Sequence, residues 1–87
     1  MPYITPEQRE RIANEMRLPN IATEGSLNYV LTKVIKRYLD GRPHVRYVDY
    51  NAVVGALECC KLELYRRLIA EHEDRAMAIN GDVYGGK

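Results

Sequence analysis

Tyrosine, basic and acidic side chains recur together in the second half of this 87-residue sequence, and they are the residue types best suited to holding an anionic group. Glu58, Lys61 and Tyr65 are spaced three and four residues apart, so on a helix they share one face. Arg66 and Arg67 follow directly. A guanidinium can form paired hydrogen bonds with a phosphate or a carboxylate, and a tyrosine ring gives a flat stacking surface.

Tyr29 is a sixth candidate, because it precedes a basic stretch on an earlier predicted helix. Together these six residues predict a binding site for a nucleotide-like ligand, or for a partner protein, near a subunit boundary. The simpler interpretation is a solvated helix face with the ion pairs Glu58–Lys61 and Glu63–Arg67.

Carboxylates spaced three residues apart indicate an enzymatic alternative. Glu7 with Glu10, and Glu71 with Asp74, would each place two carboxylates on one helix face, as Mg²⁺ binding needs. Helical metal-dependent nucleotide pyrophosphohydrolases share only this pairing of acidic residues. Neighbouring basic residues such as Arg75 can neutralise these carboxylates. Mg²⁺-dependent hydrolysis therefore stays an alternative, and we expect no enzymatic activity and no cofactor.

The histidines and cysteines give no catalytic pattern. Cys59 and Cys60 are adjacent on a predicted helix, where neighbouring side chains point about 100° apart, which argues against a disulfide between them. Neither His44 nor His72 is spaced to activate a thiol. The sequence also has no phosphate-binding glycine loop and no zinc-ligand spacing, so we expect no metal site.

The bulk composition excludes several classes of protein. Thirteen Lys and Arg balance twelve Asp and Glu to a net charge of +1, which argues against nucleic-acid binding. No apolar run is long enough to span a membrane, and the N-terminus lacks the pattern of a signal peptide, which predicts a cytoplasmic protein. The length predicts one domain, residues 1–87, with a marginal core.

The hydrophobic periodicity predicts an all-α fold. Thr5, Ser26 and Asp49 are the expected helix caps, Gly41 is a left-handed cap, and Asn80-Gly81 is a stop signal. We expect a short N-terminal helix across an antiparallel hairpin of two further helices. The predicted helices cover about residues 5–17, 26–40 and 49–79, with an extended connector at 44–48 and a short tail at 80–87.

The third predicted helix is too long for its neighbours to cover, because thirty residues extend about 45 Å. Apolar surface near Leu68, Ile69 and Met77 must then meet something else, and a second copy of the chain is the expected partner. The alternative is a break near residues 72–74 that makes a fourth short helix. Gly55 within this helix indicates close approach of another backbone.

The aromatic residues are seven Tyr with no Phe and no Trp, so each buried ring brings a hydroxyl that needs a partner. Tyr38 and Tyr50 lie on the apolar stripes and are expected in the core, whereas Tyr29 and Tyr65 are expected at a contact surface. Tyr3, Tyr47 and Tyr84 lie in terminal or connecting segments and are expected to dock onto the helices.

Several segments together resemble a small uncharacterised domain family of bacteria and bacteriophages. These segments are residues 1–9, 25–29, 55–67, 73–74 and 80–84. The resemblance implies a free-standing small protein, of phage or prophage origin, and implies no activity. For a phage protein it favours two roles in the host cytoplasm: binding a host signalling nucleotide, or modulating a host protein.

Overall fold

All regular structure in the computed structural model, which describes residues 4–85, is helical. The elements are α1 (Pro6–Glu15), α2 (Glu24–Asp40), α3 (Tyr47–Leu64), a π-helical turn (Tyr65–Ile69) and α4 (Ala70–Asn80). No strand occurs between residues 4 and 85, so the all-α prediction is confirmed. The chain divides into two compact units, Met1–Val45 and Arg46–Lys87. The hairpin arrangement and the single domain stay predictions.

The first helix begins as the sequence predicts, with a capping box. The Thr5 hydroxyl accepts a hydrogen bond from the Gln8 N–H at 3.2 Å, and the Gln8 amide oxygen accepts one from the Thr5 N–H at 2.9 Å. α1 ends at Glu15, earlier than the predicted residue 17, because Met16 adopts an extended backbone conformation. The Arg17 guanidinium donates to the free carbonyls of Asn14 and Met16 at this end.

The second helix begins two residues before the predicted start, so the assignment of Ser26 as its cap is wrong. Thr23 is the cap: its hydroxyl oxygen accepts a hydrogen bond from the Ser26 N–H at 3.1 Å. Thr23 and Ser26 both carry the hydroxyl group that a helix cap needs. Thr23 is the cap because its backbone is extended, whereas the next residue, Glu24, is already helical.

Thr23→Ala is expected to lower the free energy of unfolding by about 1 kcal/mol, because it leaves the Ser26 N–H without its acceptor. Urea denaturation at one fixed protein concentration measures this change. Thr23→Ser keeps the hydroxyl and should stay close to the wild type. Equal stability of the alanine and serine variants would contradict the assignment of this cap.

The end of α2 shows that the predicted left-handed cap is wrong. Gly41 lies in the right-handed region, with φ −77° and ψ −6°. Its N–H is shared between the carbonyls of Arg37 and Tyr38, each at 3.3 Å, and the Arg42 N–H reaches the Leu39 carbonyl. The last turn therefore tightens without a positive φ.

The third predicted helix is one continuous helix over residues 47–80, formed by α3, the π-helical turn and α4. At about 1.5 Å per residue it is roughly 50 Å long. It begins two residues before the predicted Asp49, so Asp49 as its cap is wrong, and helix replaces part of the predicted connector. Asp49 is the third helical residue, and its carboxylate accepts a hydrogen bond from the Arg46 N–H at 2.9 Å.

The alternative with a break near residues 72–74 is wrong, because α4 runs through that stretch without interruption. The irregularity lies earlier, at the π-helical turn, where the Ala70 N–H donates to the Tyr65 carbonyl five residues before it. The predicted stop is confirmed. Gly81 has φ +95°, a value that favours glycine, and its N–H donates to the Met77 carbonyl at 2.8 Å.

Neither unit buries any of the residues that the structure describes. The apolar stripe of α2 is only partly covered, and Val34 keeps 54% of its surface open. The expectation that Tyr38 and Tyr50 are core residues is wrong for the single chain, because they are 39% and 52% exposed. The Arg42 guanidinium lies 4.2 Å from the centre of the Tyr38 ring. None of the helices described is long and apolar enough to cross a membrane.

Candidate functional site

Five of the six predicted site residues lie along α3 and the π-helical turn, and we call this group the π-turn cluster: Glu58, Lys61, Tyr65, Arg66 and Arg67. Glu58 and Lys61 form the predicted ion pair, with 3.1 Å between the carboxylate and the ammonium nitrogen. Both side chains are more than half exposed, so this pair contributes little to stability.

Arg66 is held by the acidic residue one turn before it. Its Nη2 lies 3.1 Å and 3.3 Å from the two carboxylate oxygens of Glu63. The sequence predicts Arg67 as the partner of Glu63, so the ion pair found in the structure falls one residue earlier. The Glu63 carboxylate thus orients one of the two adjacent guanidinium groups.

The π-helical turn sets the spacing of Tyr65, Arg66 and Arg67, all of which belong to it. Hydrogen bonding to the fifth residue widens the helix, and such turns are frequent at functional sites. The Tyr65 ring is half exposed and open to stacking. Sequence reasoning missed this turn, because nothing in Tyr-Arg-Arg-Leu-Ile distinguishes it from an ordinary helical stretch.

Tyr29, the sixth predicted residue, lies in the other unit, beside a surface groove of about 380 Å³ that we call the α2 groove. The groove is lined by Arg17, Leu18, Pro19, Tyr29, Val30, Lys33, Val34 and Arg37. The Lys33 ammonium nitrogen lies 5.5 Å from the centre of the Tyr29 ring, within cation–π range.

Sequence reasoning missed the three cations of the α2 groove: Arg17, Lys33 and Arg37. The sequence does predict that Lys33 and Arg37 share a helix face, because they are four residues apart. Arg17 was not foreseeable, because its place depends on how the chain turns after α1.

A second hollow, of about 360 Å³, lies where the tail meets the end of α4 and includes Met77, Val83 and Tyr84. A turn shapes the tail there: the Gly85 N–H donates to the Asp82 carbonyl, and the Tyr84 N–H donates to the Asp82 carboxylate. The expected docking of Tyr47 and Tyr84 is wrong, because 77% and 85% of their surfaces are exposed. Tyr3 lies outside the described residues.

The carboxylate pairs considered for Mg²⁺ do not form a cluster. Glu71 is paired with Arg75, with 2.7 Å between oxygen and nitrogen, as the sequence predicts for a neutralising neighbour. Among residues 4–85, no group of three or more His, Cys, Asp or Glu side chains could hold a metal ion. Both Cys59 and Cys60 are free thiols.

The comparisons with known proteins identify a family, and that family has no assigned activity. A family model described as a domain of unknown function (DUF6899) matches residues 1–83. The comparison with curated proteins and the comparison with solved structures each gave no significant match.

Proposed function

The chain belongs to the family of the domain of unknown function DUF6899, and we propose that it is a non-enzymatic binding protein that works as a homo-oligomer and holds a small anionic, nucleotide-like ligand. The observation that carries this proposal is a long continuous helix whose apolar side chains are exposed along its second half. We also propose a phage or prophage origin, which rests on the sequence resemblance alone.

Helix lengths support self-association. The helix over residues 47–80 is roughly 50 Å long, whereas α2 has 17 residues and is about 26 Å long. The long helix is therefore about twice as long as α2. Leu68 and Ile79 in its second half are 63% and 82% exposed. Large exposed apolar surfaces mark association sites, and a second copy of the chain is a partner that needs no other protein.

The π-turn cluster supports the ligand. Tyr65 provides a stacking surface, Arg67 and Lys61 provide positive charge, and Glu63 holds the Arg66 guanidinium in one orientation. The Glu58 carboxylate neutralises the charge of the Lys61 ammonium group, and a bound anion would compete with Glu58 for that ammonium group. An aromatic group that carries a phosphate matches this combination of ring and cations.

A partner protein is the second candidate, because the same exposed apolar side chains would fit a different chain as well as a second copy. A host protein is the partner that the phage resemblance favours. This candidate predicts that the pure protein does not self-associate and gains stability only when the partner is added.

A ligand screen tests the binding function. Nucleotides, cyclic dinucleotides and ADP-ribose derivatives are added to the pure protein, and the thermal midpoint and the heat of binding are measured. We expect at least one of these anions to raise the midpoint in a concentration-dependent manner. No response from the whole panel would contradict the nucleotide-like ligand and favour the protein partner.

Gly55→Ala is expected to weaken self-association, because we place Gly55 where another helix backbone approaches closely. Within the chain, a Cβ at this position would meet nothing within 4 Å. On an uncovered helix the same substitution would raise stability by about 1 kcal/mol, since alanine is the better helix former.

Sedimentation and thermal melting, compared with Gly25→Ala as the matched control, measure this effect. Gly25 is also helical and also has open space around its Cβ position. We expect the control to keep the assembly and to melt at or slightly above the wild-type temperature, because alanine is the better helix former. A clear rise in melting temperature for Gly55→Ala, with the assembly unchanged, would show that no backbone packs there.

A further inference from the structure

The lining of the α2 groove combines aliphatic side chains with three cationic ones, and no part of the proposed function uses this combination. Leu18, Pro19, Val30 and Val34 supply the apolar lining. Arg17, Lys33 and Arg37 supply three cations, and the lining contains no acidic residue. All of these residues belong to the unit Met1–Val45.

The three cations are not balanced by the chain. The acidic residue at the end of α2, Asp40, is engaged with Lys36, at 2.8 Å between oxygen and nitrogen. Within residues 4–85, no carboxylate forms an ion pair with Arg17, Lys33 or Arg37. Because Lys33 and Arg37 are one helical turn apart, their like charges destabilise α2 slightly, and a bound anion would remove that cost.

Local contacts orient two of the three cationic side chains, Arg17 and Lys33, before any ligand binds. The Arg17 guanidinium donates to the carbonyls of Asn14 and Met16, which holds its position beside the groove. Lys33 lies over the Tyr29 ring, so the ring and the ammonium group restrict each other. Fewer rotamers are then lost when a ligand binds.

The dimensions of the groove favour a small molecule over a docked helix. Its α2 residues run from Tyr29 to Arg37, which is about 12 Å of helix. Its volume of about 380 Å³ falls within the range of roughly 300–1,000 Å³ that small-molecule sites occupy. A helix laid in a groove needs several turns of contact to find its anchor positions.

From this geometry we infer that the α2 groove binds a small amphiphilic anion, with its apolar body against Leu18, Val30 and Val34 and its phosphate or carboxylate against the three cationic side chains. This site goes beyond the proposed function. It needs neither self-association nor any residue of the long helix.

Calorimetry with three probes on the full chain tests the inference. Naphthyl phosphate has both an apolar body and a charge, naphthol has only the body, and inorganic phosphate has only the charge. We expect saturable binding of naphthyl phosphate that weakens as salt is added, and at least about tenfold weaker binding of the other two probes. Equal affinity for naphthol, or no binding of naphthyl phosphate, would overturn the inference.

Charge-removing variants locate the bound probe. Lys33→Gln combined with Arg37→Gln is expected to weaken naphthyl phosphate binding by about tenfold or more. Lys36→Gln removes one positive charge from the same helix but lies outside the groove lining, and it should bind like the wild type. Arg17→Gln, which leaves α2 untouched, is a second variant expected to weaken binding. Circular dichroism checks that every variant keeps its helices.

The outcomes separate this inference from the proposed function. If Arg67→Gln abolishes naphthyl phosphate binding and the groove variants do not, the groove assignment is overturned while a ligand site on the long helix stands. If only the groove variants lose the probe, the groove is supported whatever the nucleotide screen returns. An affinity unchanged in all of these variants also overturns the groove assignment.

Discussion

Leu68→Glu and Met77→Glu are each expected to dissociate the homo-oligomer. Both side chains lie in the second half of the long helix, and they are 63% and 40% exposed in the single chain. If a second copy covers them, each substitution removes about 2 kcal/mol of apolar burial and places a charge in a dry contact. In a symmetric dimer the change occurs twice, so the dissociation constant should rise at least roughly hundredfold.

Sedimentation velocity over a range of protein concentrations measures this shift. Ala78→Glu is the matched control, because it introduces the same charge next to Met77 but on a different side of α4. The control should sediment like the wild type. An assembly that survives both Leu68→Glu and Met77→Glu would contradict an interface on this half of the helix.

The second large effect concerns the ligand. Tyr65→Leu combined with Arg67→Gln is expected to weaken binding of the nucleotide found in the screen by about a hundredfold. The tyrosine variant removes the stacking surface but keeps an apolar side chain, and the arginine variant removes one charge-assisted contact. Each accounts for about tenfold.

Arg75→Gln is the control for this pair. Arg75 lies on the same long helix, but its guanidinium is paired with Glu71 and it lies outside the π-turn cluster. Calorimetry should give wild-type affinity for the control and a strong loss for the double variant. Nucleotide binding that is unchanged in the double variant would remove the π-turn cluster as the ligand site.

The type and order of the helices were predictable from local patterns. Hydrophobic spacing, the Thr5 capping box and the Asn80-Gly81 stop each depend on residues within a few positions of one another. The errors at Ser26, Gly41 and Asp49 share one cause. Each of these residues is suited to a cap and lies near a helix end. The backbone conformation decides which residue is the cap, and residue propensities do not determine that conformation.

The candidate site was less predictable, because its features depend on irregular backbone. The Glu58–Lys61 pair follows from helical spacing, and the structure contains it. The π-helical turn depends on one added residue in the hydrogen-bonding pattern, for which the sequence has no local signature. The α2 groove depends on the extended chain after α1, which brings Arg17 beside residues of α2 that are twelve or more positions away.

Burial was the least predictable property. The stripes of α2 and α3 have the pattern of core faces, and Tyr38 and Tyr50 lie on them, but no residue of either stripe is buried in the single chain. A hydrophobic pattern indicates that a face must be covered, and it does not say which chain covers it. Because no residue between 4 and 85 is buried in the single chain, we propose that a second copy covers the apolar stripes.

Light scattering coupled to size exclusion at micromolar concentration is the most direct test of self-association. We expect a helical protein whose mass is at least twice the 10.0 kDa of one chain. A stable, fully folded species of 10.0 kDa would contradict it, because the exposed apolar surface of the long helix would then need no second copy.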